Sequence, residues 1–106
     1  MNNQEINQFN FDNISNSDNM TVLKGYFQQA TAVGSGSMVL FKFQGMSSYG
    51  KLIIQGLTFI SQVEEIQQAI KDETEVTLIG ELRTYKNKRS GQFEVQIEAK
   101  DIVYHD

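Results

Sequence analysis

Arg83, Lys86, Lys88 and Arg89 put four positive charges into one short run of a 106-residue chain whose formal net charge is -4. Clustered Lys and Arg neutralise phosphates, and the Tyr85 ring within the run adds a flat surface on which a base can stack. Lys24, Lys42 and Lys51, with Tyr26, Tyr49 and Ile53, repeat the same mixture of cation and flat apolar group further up the chain. The chemistry on offer is therefore non-covalent contact with a flexible polyanion. The overall charge does not oppose it, because Glu5, Asp12 and Asp18 stand in residues 1–19 without a single cation and account for three of the four excess negative charges. Local potential, not the sum, decides what a surface attracts.

Other chemistries lack their residues. There is no cysteine, so neither a disulfide nor a thiolate metal site can form, and the one histidine, His105, stands by the C-terminus without a cluster of ligands. Glu64 and Glu65 adjoin on a helical stretch and point in different directions. The Gly34-Ser35-Gly36-Ser37 run lacks the lysine and following helix of a phosphate loop, and no Ser/His/Asp set exists. The chain is read as non-catalytic and without a cofactor. No apolar run approaches the ~20 residues that span a bilayer, and the polar start has no signal-peptide pattern. A cytoplasmic protein with no membrane contact is expected.

The basic run must be carried by a hairpin. Val76, Leu78, Gly80 and Leu82 alternate with Thr77, Ile79, Glu81, Arg83 and Tyr85, and Phe93, Val95, Ile97 and Ala99 alternate with Gln92, Glu94, Gln96 and Glu98. Strand side chains point to opposite faces in turn, so the first and third of these sets are expected to face a core. Lys86-Asn87-Lys88-Arg89-Ser90-Gly91 suits the turn. An earlier strand over Met20–Thr31 places Leu23, Gly25 and Phe27 inward and Val22, Lys24, Tyr26 and Gln28 outward. Leu23-Lys24-Gly25-Tyr26-Phe27 and Leu78-Ile79-Gly80-Glu81-Leu82 share a glycine where a strand bends or another backbone comes close, which suggests a small closed barrel.

Thr31–Ser37 reads as a flexible loop. It leads into a strand over Met38–Gln44 with Val39, Phe41 and Phe43 inward, a loop over Gly45–Gly50, and a strand over Lys51–Leu57 with Leu52 and Ile54 inward. Ser61 and Glu64 stand at capping-box spacing before Val63, Ile66, Ala69 and Ile70, which predicts a helix to about Lys71. Residues 1–19, rich in Asn, Gln and Ser, read as a flexible tail in which Phe9, Phe11 and Ile14 can dock on a neighbour. One domain, residues 20–106, follows. Its class is mainly β with one helix: three strands, the helix, two strands.

That order, with glycine-bent first and fourth strands, resembles the oligonucleotide/oligosaccharide-binding (OB) fold, a five-stranded Greek-key barrel. The final strand pair, VTLIGELRTYKNKRSGQFEVQIEAKDI, is similar in residue types and spacing to the last hairpin of bacterial nucleic-acid-binding domains of this class, including bacterial single-stranded DNA-binding proteins and the OB domain of the exodeoxyribonuclease VII large subunit. The resemblance implies single-stranded DNA as partner, with RNA as a second candidate, bound without strong sequence preference in replication, recombination or DNA transfer. It implies a site of Lys42, Tyr49, Lys51 and Ile53 on the second and third strands and Tyr85, Lys86, Lys88 and Arg89 on the hairpin, with Arg83 beside them and Lys24 and Tyr26 extending it. Homo-oligomerisation, most simply a dimer through Met38, Leu40 and Ile53 or through the Phe9–Ile14 segment, would link two weak sites. The alternative reading is an OB-fold protein-interaction or acidic accessory subunit that does not itself bind nucleic acid.

Overall fold

A computed structural model describes residues 11–106. Five strands, β1 (Thr21–Val33), β2 (Met38–Ser47), β3 (Gly50–Phe59), β4 (Glu75–Lys86) and β5 (Phe93–His105), close into a barrel in the order β1-β2-β3-β5-β4. All pairs are antiparallel except β3 with β5, where Gln55, Gly56 and Leu57 run parallel to Gln96, Ile97 and Glu98. One helix, α1 (Val63–Asp72), follows a 3-10 turn (Ile60–Gln62) between β3 and β4. The expected element order and closure are what the structure has. Phe9, one of the residues expected to dock on a neighbour, lies outside the described residues.

β1 serves two partners because it bends. Thr21–Gly25 pair with β4 and Tyr26–Val33 with β2, with a bulge at Gln28. Glycine is required at the turning point: a Cβ on Gly25 would collide with the carbonyl oxygen of Gln44, and one on Gly80 with that of Glu98. These are the two glycines of the repeated motif. The core they surround holds Phe27, Phe41, Phe43, Ile66, Ala69, Val76, Leu78 and Ile97. Phe27 meets Phe41 and Phe43 edge to face, with centroids 5.1 and 5.2 Å apart, the arrangement that aromatic quadrupoles favour. Each such buried ring stabilises by roughly 1.5–3 kcal/mol.

The local details depart from the sequence reading in three places. Thr31–Val33 belong to β1, so the first loop shrinks to residues 34–37, where Gly34 and Gly36 take positive φ. β2 runs on to Ser47 and β3 starts at Gly50, because Gly45 pairs with Leu52 and Met46 with Lys51, leaving only Ser48 and Tyr49 in the turn. The Ser61 capping box does not form. The 3-10 turn absorbs Ser61, and Gln62 at the N-cap makes no side-chain bond to the helix. Ile66 and Ala69 nevertheless face inward as their spacing requires. The helix ends at Glu73, which is left-handed (φ 54°, ψ 44°), and the Thr74 N–H closes the end on the Ala69 carbonyl at 2.9 Å.

Candidate nucleic-acid interface

The outward side chains of β1, β2 and β3 form rows across the barrel. Tyr26, Gln44 and Ile53 stand in one register, and Gln29, Lys42 and Gln55 in the next, which continues over the parallel seam to Gln96 and Arg83. Met46 lies opposite Lys51 at the end of the sheet. Beyond them Tyr49 projects fully into solvent from the turn, whose shape Ser47 fixes by accepting the Tyr49 N–H and donating to the Gly50 carbonyl. Tyr26, Met46 and Ile53 are exposed. The face therefore brings together Tyr26, Lys42, Tyr49, Lys51 and Ile53, separated by amides.

β4 and β5 extend past the barrel as a two-stranded hairpin with unlike faces. Leu82, Thr84 and Lys86 share one with Val95 and Phe93, which pair with Thr84 and Lys86. Phe93 and Val95 were expected in the core. Here they are 73% and 53% exposed, with Leu82 at 40%, because the strand pair outruns the barrel and no described residue covers this part of its inward side. The result is an apolar strip ending in a cation. On the other face Gln96, expected outside, does point outward but is covered to 6% exposure.

That other face is acidic and internally paired. The Tyr85 hydroxyl donates to Glu94 at 2.6 Å and Asn87 donates to the second Glu94 oxygen at 3.0 Å. The bond to the Glu94 carboxylate, with some burial and the carboxylate's charge, raises the Tyr85 pKa above its ordinary value. Arg83 pairs with Glu98 at 3.4 Å, and Lys100 with Glu98 and Glu81 at 2.9 and 3.1 Å. Lys100, with weaker help from Arg83, holds the Glu98 carboxyl below its usual range despite partial burial. Lys24, at the far end of β1, pairs with Glu75 at 3.4 Å.

Asn87 also builds the tip. Its side-chain oxygen accepts the N–H groups of Arg89 and Ser90 at 2.9 and 3.3 Å, while its backbone closes on Gln92 and Gly91 at 2.8 and 2.7 Å. Lys88 and Arg89 are thereby presented on a defined turn.

The eleven residues singled out by sequence thus divide. Lys42, Lys51, Lys86, Lys88 and Arg89 have no carboxylate partner among the described residues, whereas Lys24 and Arg83 have one each. Tyr26, Tyr49 and Ile53 are open on the sheet face; Tyr85 lies on the acidic side of the hairpin with its hydroxyl committed. Sequence reasoning missed Phe93, Val95 and Leu82. Their position beside the basic tip was the available signal, since residues next to a long charged turn stand far from the barrel centre.

A closed five-stranded barrel with a parallel β3–β5 seam and a helix between β3 and β4 is the OB fold. Solved structures bear this out. The chain is similar to a small single-stranded DNA binding protein from Mycoplasma pneumoniae, with TM-score 0.58 and 18% identity over 80% of this chain and 91% of that one. It is also similar to the SSB domain of a Synechococcus sp. protein, with TM-score 0.54 and 14% identity over 82% and 94% of the two chains. A third similar structure is Plasmodium falciparum SSB in complex with ssDNA, with TM-score 0.56 and 13% identity over 83% and 95%. No family model matches the chain, and no curated protein matches its sequence.

Proposed function

We propose that this OB-fold protein binds single-stranded DNA without catalysing a reaction on it, along a path from the β1–β3 face to the β4–β5 hairpin. The observation that carries the reading is the alternation of cations that have no carboxylate partner among the described residues with open flat groups on that path: Lys51, Ile53, Tyr26 and Lys42 on the sheet, Tyr49 at its edge, then Phe93, Lys86, Lys88 and Arg89 on the hairpin. Cations track phosphates, and rings accept the exposed bases of a single strand, each stack worth ~1 to 3 kcal/mol. A duplex hides its bases from such platforms. Similar solved structures whose descriptions name single-stranded DNA binding support the reading.

On this reading the protein serves replication, recombination or DNA transfer in the cytoplasm, and it works as a dimer. Val22, exposed on β1 beside its β4 partner Ile79, and Val103, exposed on β5 opposite Thr77 one row along, offer an apolar patch apart from the β2–β3 face. Met38 and Leu40, expected to be exposed there, are half-buried. Titration of labelled single strands longer than about 12 nucleotides, matched by RNA and by duplex, tests the proposal. The single strand should bind best at low salt. Absence of binding at high micromolar protein would overturn it in favour of a protein-interaction module, for which Glu81, Glu94 and Glu98 provide an acidic face.

A further inference from the structure

The acidic side of the β4–β5 hairpin holds a carboxylate that does more than repel. Glu94 stands directly opposite Tyr85 in the strand register, and Asn87, two residues on from Tyr85, shares that side of the hairpin. One Glu94 oxygen accepts the Tyr85 hydroxyl at 2.6 Å and the other accepts the Asn87 side-chain amide at 3.0 Å. An ionised carboxylate carries acceptors only, so it can receive both donors at once. The bond to Glu94, with some burial, raises the Tyr85 pKa, and the hydroxyl therefore remains a donor across the neutral range.

Asn87 passes this hold on to the tip. With its NH2 group bound to Glu94, the amide turns its oxygen the other way, where it accepts the N–H groups of Arg89 and Ser90 at 2.9 and 3.3 Å. The Ser90 hydroxyl then accepts the Gln92 N–H at 3.2 Å, and the Asn87 backbone closes on Gln92 and on Gly91, which sits at φ 73°. Hydrogen bonds thus run without a gap from the Glu94 carboxylate to the backbone that carries Lys88 and Arg89. Both cations are exposed and have no carboxylate partner among the described residues.

We infer that Glu94 is a positioning residue for nucleic-acid binding: its carboxylate fixes the Asn87 amide, and through it the turn that presents Lys88 and Arg89 to phosphates. Charge alone gives the opposite expectation. A carboxylate beside a phosphate path lowers the local positive potential, so its removal should strengthen binding whatever replaces it. A tip held in one shape reverses that, because a loop ordered before contact loses less free energy to ordering when the ligand arrives.

Glutamine separates the two. Its side-chain oxygen can accept from Asn87 while its NH2 group donates to the Tyr85 oxygen, which as a hydroxyl also accepts, so Glu94→Gln keeps the framework and discards the charge. Glu94→Ala discards both.

That the tip meets phosphates rests on the function proposed above; that Glu94 orders the tip does not. Backbone amide relaxation is measured by NMR without DNA on the parent, Glu94→Gln and Glu94→Ala. Order parameters of residues 87–91 should stay near the rigid value of about 0.85 in the first two and fall toward about 0.6 in the third, with those of α1 unchanged. Fluorescence anisotropy with a labelled single-stranded oligonucleotide follows at about 50 mM salt, where screening is weak. Glu94→Ala should bind roughly two- to tenfold more weakly than the parent, the range for one side chain that must be immobilised on binding. Glu94→Gln should bind at least as tightly as the parent. An equally rigid tip in Glu94→Ala, or Glu94→Ala binding the oligonucleotide as tightly as Glu94→Gln, would overturn the inference. Should Glu94→Ala unfold, Glu94→Met, similar in length and without oxygens, takes its place with the same expectations. No binding by any of the proteins would sink the function proposed above, while the relaxation data still decide whether Glu94 orders the tip.

Discussion

Removing Lys88 and Arg89 together tests the division of cations into committed and available ones. Lys42, Lys51, Lys86, Lys88 and Arg89 have no carboxylate partner among the described residues, and four to five such contacts should give log affinity a dependence on log salt of about -3 to -3.5. Between about 50 and 200 mM salt that is a loss of roughly 50- to 130-fold. Lys88→Ala/Arg89→Ala should weaken binding and flatten the slope by about 1.4, at about 0.7 for each phosphate contact. Arg83→Ala is the decisive control. Arg83 belongs to the same positive run but pairs with Glu98, so its loss should leave the slope within about half a contact of the parent, roughly 0.35. Fluorescence anisotropy with a labelled oligonucleotide across a salt series measures all three slopes. If Arg83→Ala flattens the slope as much as loss of one tip cation, the ion pair does not hold the arginine back and the reasoning from partners fails.

The remaining predictions concern rings, backbone and pH. Phe93→Ala should cost ~1 to 3 kcal/mol of single-strand affinity at any salt with little change in urea stability, whereas Phe43→Ala, deep in the core, should cost about 3–5 kcal/mol of stability; equal stability losses would refute the hairpin placement. Glu73→Gly should raise stability by about 1 kcal/mol in urea unfolding by relieving a left-handed non-glycine residue, and a loss would show that the Glu73 side chain contributes more than its backbone costs. Burial, with a smaller contribution from the charge of Glu65, pushes the Tyr104 pKa up to about 12. Because the folded value lies above the unfolded value of about 10, stability from this group is complete below pH 10 and declines from there through pH 12. Tyr104→Phe should remove that part of the decline, seen by denaturant unfolding at a series of alkaline pH values; an unchanged profile would place the loss elsewhere.

Strand order and the inward set Phe27, Phe41, Phe43, Val76, Leu78 and Ile97 were legible because alternation and two bend glycines act locally. Phe93 was not. Alternation told correctly which side of β5 it occupies, but only the assembled barrel shows that no described residue forms an opposite wall so near the tip. The same limit hid the partners of the cations. Arg83 meets Glu98 through the cross-strand register of β4 and β5, and Lys100 reaches both Glu81 and Glu98 from a bulge that no local pattern announces. The capping-box spacing was present in sequence, yet the chain enters α1 through a 3-10 turn that takes in Ser61 and leaves Gln62 at the N-cap, so Ser61 does not act as cap. Tyr85 was correctly placed on the outward side of its strand, but its commitment to Glu94 required the hairpin register.

The parallel contact between β3 and β5 runs through only Gln55–Leu57 and Gln96–Glu98, against a ladder of twelve pairs from Lys86 to Glu75 between β4 and β5. A barrel opens where its seam is shortest, so this junction is where local unfolding should begin and amide hydrogens should exchange soonest. The candidate interface straddles that junction, with Lys42 and Gln55 on one bank and the hairpin on the other. A strand of DNA laid from one bank to the other would act as a clasp, coupling ligand occupancy to barrel closure and slowing exchange at residues 55–57 and 96–98 that it need not touch.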